Sequence, residues 1–249
     1  MFYLVKKTIN INADVGEGAG NDAQIIPLIA ACNIACGGHA GDAISMQQTI
    51  QLAKKNRVKI GAHPSFPDKD HFGRKLLTMT KSELTECVFN QLLAFFAVAE
   101  TEDVPVHHIK LHGALYNYAA IDAPTADAVV AAILATKVRP VLYVPYNSVL
   151  HHKAENLLPL QFEAFIDRRY NNDGTLVSRS EPHALITDKE AAWQQLKQLV
   201  EQQQLITVSG DIIPITATTF CIHGDHPNSV EVLEHIHAQM KATNFELEK

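Results

Sequence analysis

The chain has 249 residues, 47% hydrophobic and 19% charged, a formal net charge of −6 and a near-neutral mean hydropathy. These values fit one globular domain with a large core, residues 1–249, and give no basic patch for a nucleic acid or a membrane surface. No run approaches the roughly 18 apolar residues of a membrane span, and MFYLVKKTIN lacks the pattern of a signal peptide, so a cytoplasmic protein is expected. The outlying number is the 13 histidines, which titrate near neutrality and bind metals.

Thr8 to Val15 alternates Ile9, Ile11, Ala13 and Val15 with Asn10, Asn12 and Asp14, the period of a strand with one polar face. The glycine-rich loop after it (16–22) carries Glu17 but not the GK[ST] ending of a phosphate-binding loop. A second apolar run, Ile29 to Cys36, holds Asn33 and leads into GGHAGD, which places His39 on a glycine-constrained loop. Asp42 is the expected N-cap of a helix reaching about Lys55. The strand Arg57 to His63 follows, then a loop with two prolines and much charge (64–75), whose length fits a site lid. Thr80 and Glu83 form a capping box opening a helix to about Glu100.

The stretch from His107 to Asn117 carries the densest chemistry. As a strand it sets His108, Lys110 and His112 on one face and Ile109 and Leu111 on the other, before a GALYN loop with Tyr116 and Asn117. A helix from about Pro124 to Ala135, a strand Arg139 to Pro145 and a short helix Val149 to Leu157 come next. The strand Gln161 to Asp167 turns Glu163, Phe165 and Asp167 one way, and its loop carries Arg168, Arg169 and Arg179, suited to an anionic group. Beyond a helix Asp188 to Gln204 lie two short strands split by Ser209-Gly210-Asp211, a last strand Thr218 to His223 ending in HGDHP with Asp225, and a final helix from about Asn228 to Thr243.

This alternation predicts an α/β fold, a parallel sheet or barrel of about seven strands. Ligands bind such folds at the carboxyl ends of the strands, so the polar residues there should meet. Asp14, His39 and His63 have the donor types for a hydrolytic metal. The metal-free alternative, acid/base work by Asp or His with Lys110 beside a developing oxyanion, is favoured, and whether a metal binds stays open. No GxSxG elbow is present, and Cys32, Cys36, Cys87 and Cys221 are expected as reduced thiols outside any catalytic context.

Seven segments, NADVGEG (12–18), NIACGGHAGD (33–42), GAHPSFPD (61–68), FGRK (72–75), KLHGALYN (110–117), FIDRRYNNDGTLVSR (165–179) and CIHGD (221–225), resemble the LamB/YcsF family. The resemblance implies an irregular (β/α) barrel similar to the glycoside hydrolase and deacetylase folds. It also implies cleavage of 5-oxo-L-proline to L-glutamate with ATP hydrolysis, in a complex with subunits B and C. Opening a resonance-stabilised five-membered lactam benefits from phosphorylating the amide oxygen, so ATP is expected on the partners while this chain binds the lactam and helps open it. Asp14 or His63 is then the base for water, Lys110 and His112 the oxyanion stabilisers, with Glu17 and His39 beside them. Arg168 or Arg179 is the carboxylate clamp, and Asn12, Asn33, Tyr116, Asn117, Glu163, Asp167, His223 and Asp225 complete substrate binding. Ala13, Ala19, His71, Lys75, Leu111 and Ile166 depart from the family pattern; His71 and Lys75, in the lid loop, bear on substrate preference. The alternative reading is a stand-alone metal-dependent amide hydrolase or deacetylase.

Overall fold

The computed structural model describes residues 7–248, so the first six residues of the stretch read for a signal peptide lie outside the described residues. Seven parallel strands close a barrel: β2 (Ile11–Val15), β3 (Ala31–Ala35), β4 (Lys59–His63), β5 (Val106–Lys110), β6 (Val141–Val144), β7 (Leu160–Phe165) and β10 (Thr219–Ile222), with β10 pairing back to β2. The expected strand number and direction are observed. Parallel neighbours need crossovers, and these are α2 (Ala43–Asn56), α3 (Lys81–Thr101), α5 (Ala123–Ala135), α6 (Val149–Ala154), α7 (Lys189–Gln202) and α8 (Ser229–Ala242).

Two helix starts follow directly from sequence. The Asp42 side chain accepts from the Ser45 amide, and Thr80 and Glu83 exchange bonds reciprocally, which fixes where α2 and α3 begin. The side chains pointing out of the barrel are apolar and fully buried beneath the helices, among them Ile11, Ala13, Ile34, Ile60, Ile109, Leu142, Ala164 and Ile222. Each such Ile or Leu contributes about 1.5–3 kcal/mol on leaving water. Ala13, Leu111 and Ile166 belong to this buried helix-facing side, so those departures from the family pattern alter packing.

The interior is polar, and the two sides of every strand are therefore distinct. Asn12 and Asp14 on β2, Asn33 on β3, His63 on β4, His108 and Lys110 on β5, Glu163 on β7 and Thr219 on β10 are buried together. Gly61, between Lys59 and His63 on β4, is required there: a Cβ would overlap the His108 ring across the lumen.

Several boundaries differ from the sequence expectation. The first strand is two: β1 (Lys7–Ile9) leaves the barrel and pairs in parallel with β11 (Phe245–Leu247), a strand after α8 that has only three residues to signal it. The central strand ends at Lys110, and GALYN is the first part of a helix, α4 (Gly113–Ala119), with His112 at its N-cap. The helix expected to reach Leu157 stops at Ala154. The two short strands around Gly210 form an antiparallel hairpin, β8 (Gln204–Ile206) and β9 (Ile212–Pro214). Among the described residues no single helix is long and apolar enough to cross a membrane; α4 and α5 pass such a test only as a pair bent by 112°.

Candidate active site

The carboxyl ends of β2 to β5, β7 and β10 converge, and the predicted site residues divide into a floor, an inner wall and a mouth.

The floor is a hydrogen-bonded network across the lumen. Asn33 Nδ2 donates to Asn12 Oδ1 and to Asp14 Oδ1, both at 2.8 Å, while its Oδ1 accepts from His108 Nε2 at 2.7 Å. Asn12 Nδ2 donates to Glu163 Oε1 at 3.0 Å and to Thr219 Oγ1 at 2.8 Å. Asn12, Asn33 and Glu163, expected to touch substrate, are thus engaged with one another, as buried amides in an enclosed space must be. His108 also stacks on Tyr143 with ring centroids 4.2 Å apart.

Lys110 stands above this network, and its donors are taken. Nζ donates to Asp14 Oδ1 and to Cys221 Sγ, both at 2.8 Å, and lies 3.3 Å from Glu163 Oε1. Burial opposes its charge, but Asp14, Cys221 and Glu163 outweigh burial and hold the ammonium well above its ordinary value. In return, His63 and Lys110 overcome the burial of Asp14 and hold its carboxyl well below the usual range. Glu163 goes the other way, raised by burial despite Lys110. Cys221 is a correction to the sequence reading, which set every cysteine apart from the chemistry: its sulfur touches the lysine. All four cysteines are free thiols.

The inner wall is made by Glu17, His39, His63 and His112. His39 and His112 lie face to face with centroids 3.6 Å apart, and His63 meets His112 edge-on at 4.9 Å. Glu17 Oε1 reaches His39 Nε2 at 2.9 Å and His112 Nδ1 at 3.4 Å, while His63 Nε2 lies 3.4 Å from Asp14 Oδ2. Burial, then Asp14 and Asp225, push Glu17 well above its ordinary value, whereas burial pushes His39 down to about 2 and His112 well below its usual range. The lid loop closes this wall from outside. Phe72, at φ 55°, aims its carbonyl at His112 Nε2, which donates to it at 2.9 Å. Gly73 follows at φ 61°, where a Cβ would come within 2.8 Å of His39 Cβ.

The mouth is a cavity of about 320 Å³ lined in part by Arg74, His112, Asn117, Phe165, Arg168, Arg179 and His223. Arg74 and Arg179 both pair with Asp225, which these arginines hold below its usual value against burial. Arg168 is 4% exposed; one guanidinium nitrogen donates to the Val177 carbonyl at 2.6 Å, but Nε has no partner. Burial, then Arg179, bring Arg168 down to about 10. His223 stacks on Phe165 at 5.1 Å and donates its backbone amide to Asp167, which His223 in turn keeps ionised in spite of burial. Asp167 therefore orients His223 from behind. Tyr116, on α4, turns into the core against Phe165 at 5.6 Å, where burial and Glu163 push its hydroxyl well above its ordinary value.

Sequence reading missed Arg74, Phe72 and Cys221 as members of this region. FGRK in the long charged loop was the one available sign for the first two.

A closed parallel barrel with titratable groups gathered at its carboxyl end has the architecture of an α/β-barrel enzyme. The LamB/YcsF family pattern matches residues 9–249, and the chain belongs to that family. It is 38% identical over 234 residues to the 5-oxoprolinase A-type subunit of Pyrococcus abyssi (strain GE5 / Orsay), covering 92% of each chain. It is 40% identical over 247 residues to the protein of the same name from Staphylococcus carnosus (strain TM300), covering 97% of this chain and 98% of that one. Among solved structures it resembles the lactam utilization protein of Thermus thermophilus, with a TM-score of 0.89, 35% identity, and coverage of 97% and 99%.

Proposed function

We propose that this chain is a cytoplasmic hydrolase subunit that opens 5-oxo-L-proline to L-glutamate, working with partner subunits B and C that bind and use ATP. The observation that carries it is the mouth: a small cavity with a buried, incompletely paired guanidinium, directly beside a wall of acid and imidazole groups. A lactam bearing a carboxylate matches both halves. Its carboxylate is recognised by Arg168 and Arg179, in the charge-assisted geometry guanidinium favours, which leaves the ring against His112. The relatives named as 5-oxoprolinase subunits support the same substrate.

The roles of individual residues follow from their partners. Asp14, ionised and fixed through Oδ1, is the base for water, with Oδ2 turned toward His63. Lys110 was expected to stabilise the oxyanion; with its donors taken up by Asp14, Cys221 and Glu163, it is assigned instead to holding Asp14 charged and in place. His112 remains at the cavity wall for the carbonyl. Asn12, Asn33 and Glu163 position this machinery from below. ATP is assigned to the partners because the 16–22 loop lacks a phosphate-binding ending.

The second reading, a stand-alone metal-dependent amide hydrolase or deacetylase, is favoured by one observation, the four-donor inner wall. Glutamate release from 5-oxoproline plus ATP, measured with this chain alone and then with subunits B and C, separates the two. Release only in the mixture supports the divided enzyme. Release by the chain alone without ATP, or none in either case, overturns it.

A further inference from the structure

The inner wall has a feature that acid/base chemistry leaves unexplained. His63 Nδ1 donates to the Lys110 carbonyl at 2.8 Å, and His112 Nε2 donates to the Phe72 carbonyl at 2.9 Å. A carbonyl can only accept, so each ring keeps a proton on its outer nitrogen. The inner nitrogens, His63 Nε2 and His112 Nδ1, then face one another at 3.0 Å. In the neutral rings these are two lone pairs aimed at each other, an arrangement that repels unless a cation lies against both.

Two more donors surround the same point. Glu17 Oε1 lies 3.4 Å from His112 Nδ1, 3.8 Å from His63 Nε2 and 2.9 Å from His39 Nε2. His39 Nδ1 is buried without a partner, so no neighbour competes for that end of the ring. Ligands held about 2.0–2.2 Å from a first-row cation stand roughly 3.0–3.5 Å apart in tetrahedral or octahedral geometry. The observed spacings of 2.9–3.8 Å straddle that range. Carbonyl partners that fix the tautomer from outside are the usual second shell of metal-binding histidines.

We infer that Glu17, His39, His63 and His112 bind one first-row divalent cation, Zn²⁺ or an ion of similar preference for imidazole and carboxylate. Since His112 also lines the mouth, the ion would face the arginine-ringed cavity, where it could polarise a carbonyl or a water. This inference rests on donor geometry and stands independently of the lactam reading.

The test titrates the full chain, stripped with chelator and without substrate, with ZnCl₂ by calorimetry and CoCl₂ by visible absorption. One ion per chain is expected, with an intensified cobalt spectrum from imidazole coordination. Glu17→Gln and His112→Gln should each weaken binding at least about tenfold. His152→Ala, in the other histidine-carboxylate group, which is largely exposed, should leave binding unchanged. The inference is overturned if wild type binds no zinc at micromolar concentration, meaning that a shared proton bridges the rings. It is equally overturned if binding survives both wall substitutions and is lost with His152. Should a wall variant fail to fold by near-ultraviolet circular dichroism, the wild-type cobalt spectrum decides, since a spectrum matching the hydrated ion rules the site out. A failed glutamate assay would not touch this result.

Discussion

The floor and the mouth of the barrel are both polar, yet they are built differently. On the floor, Asn12, Asn33, His108 and Lys110 are at most 1% exposed and joined by bonds of 2.7–3.0 Å, so each side chain has one geometry. At the mouth, Arg74, Arg179 and Asp225 are about a quarter to a third exposed, and Arg168 keeps an unpartnered Nε. A low-dielectric floor makes each bond stronger and each missing partner costly, which suits fixing a base. A half-solvated mouth tolerates rearrangement, which suits admitting and gripping an anion.

The comparison breaks most visibly at Lys110. Lys110→Met removes the cation shared by Asp14 and Glu163, and breaking such a buried group should cost about 3–5 kcal/mol, read from the denaturant midpoint. A shift below about 1 kcal/mol would show that the floor is not held by charge. At the mouth, Arg168→Ala should leave folding nearly intact while raising KM for the lactam roughly 10- to 100-fold, the worth of a charge-assisted bond, with a smaller change in kcat. An unchanged KM would move the carboxylate clamp elsewhere.

Asn33→Ala deletes two donated bonds and one accepted bond, and should cost about 1–3 kcal/mol by leaving buried partners unsatisfied. The pH dependence sharpens the contrast further. The folded state depresses Asp167, so its contribution is present above the unfolded carboxylate value of about 3.9 and is lost as pH falls through that value toward the folded one. Asp167→Asn should therefore flatten the acid limb of stability against pH; an unaltered slope would remove the His223 pair from the account. The smallest effect belongs to the mouth: Asp225→Asn should change stability by less than about 1 kcal/mol, as partly exposed pairs do. A loss comparable to that of Lys110→Met would erase the distinction.

Much of this was legible in sequence because the strands alternate so cleanly. The period of two assigned Asn12, Asp14, Asn33, His63, His108 and Lys110 to the interior, and the seven barrel strands followed from their spacing between capped helices. Alternation does not show where a strand stops, so His112 reads as a strand residue when it caps α4, and Tyr116 reads as a substrate contact when the helix turns it into the core. Nor does it show which distant groups meet. Cys221 lies 111 positions from Lys110, and only barrel closure puts thiol against ammonium. Arg74 and Phe72 sit in an irregular loop whose path depends on positive φ at Phe72 and Gly73, a property no periodicity carries.

The central claim is that Asp14, held by Lys110, is the base of a lactam-opening site. It is tested most directly by glutamate formation from 5-oxoproline and ATP in the assembled complex, with wild-type chain or with Asp14→Asn. The account predicts a fall in kcat of about 10²–10⁴-fold, the usual contribution of a positioned base, with complex assembly unchanged. Full activity of Asp14→Asn in the assembled complex would contradict it.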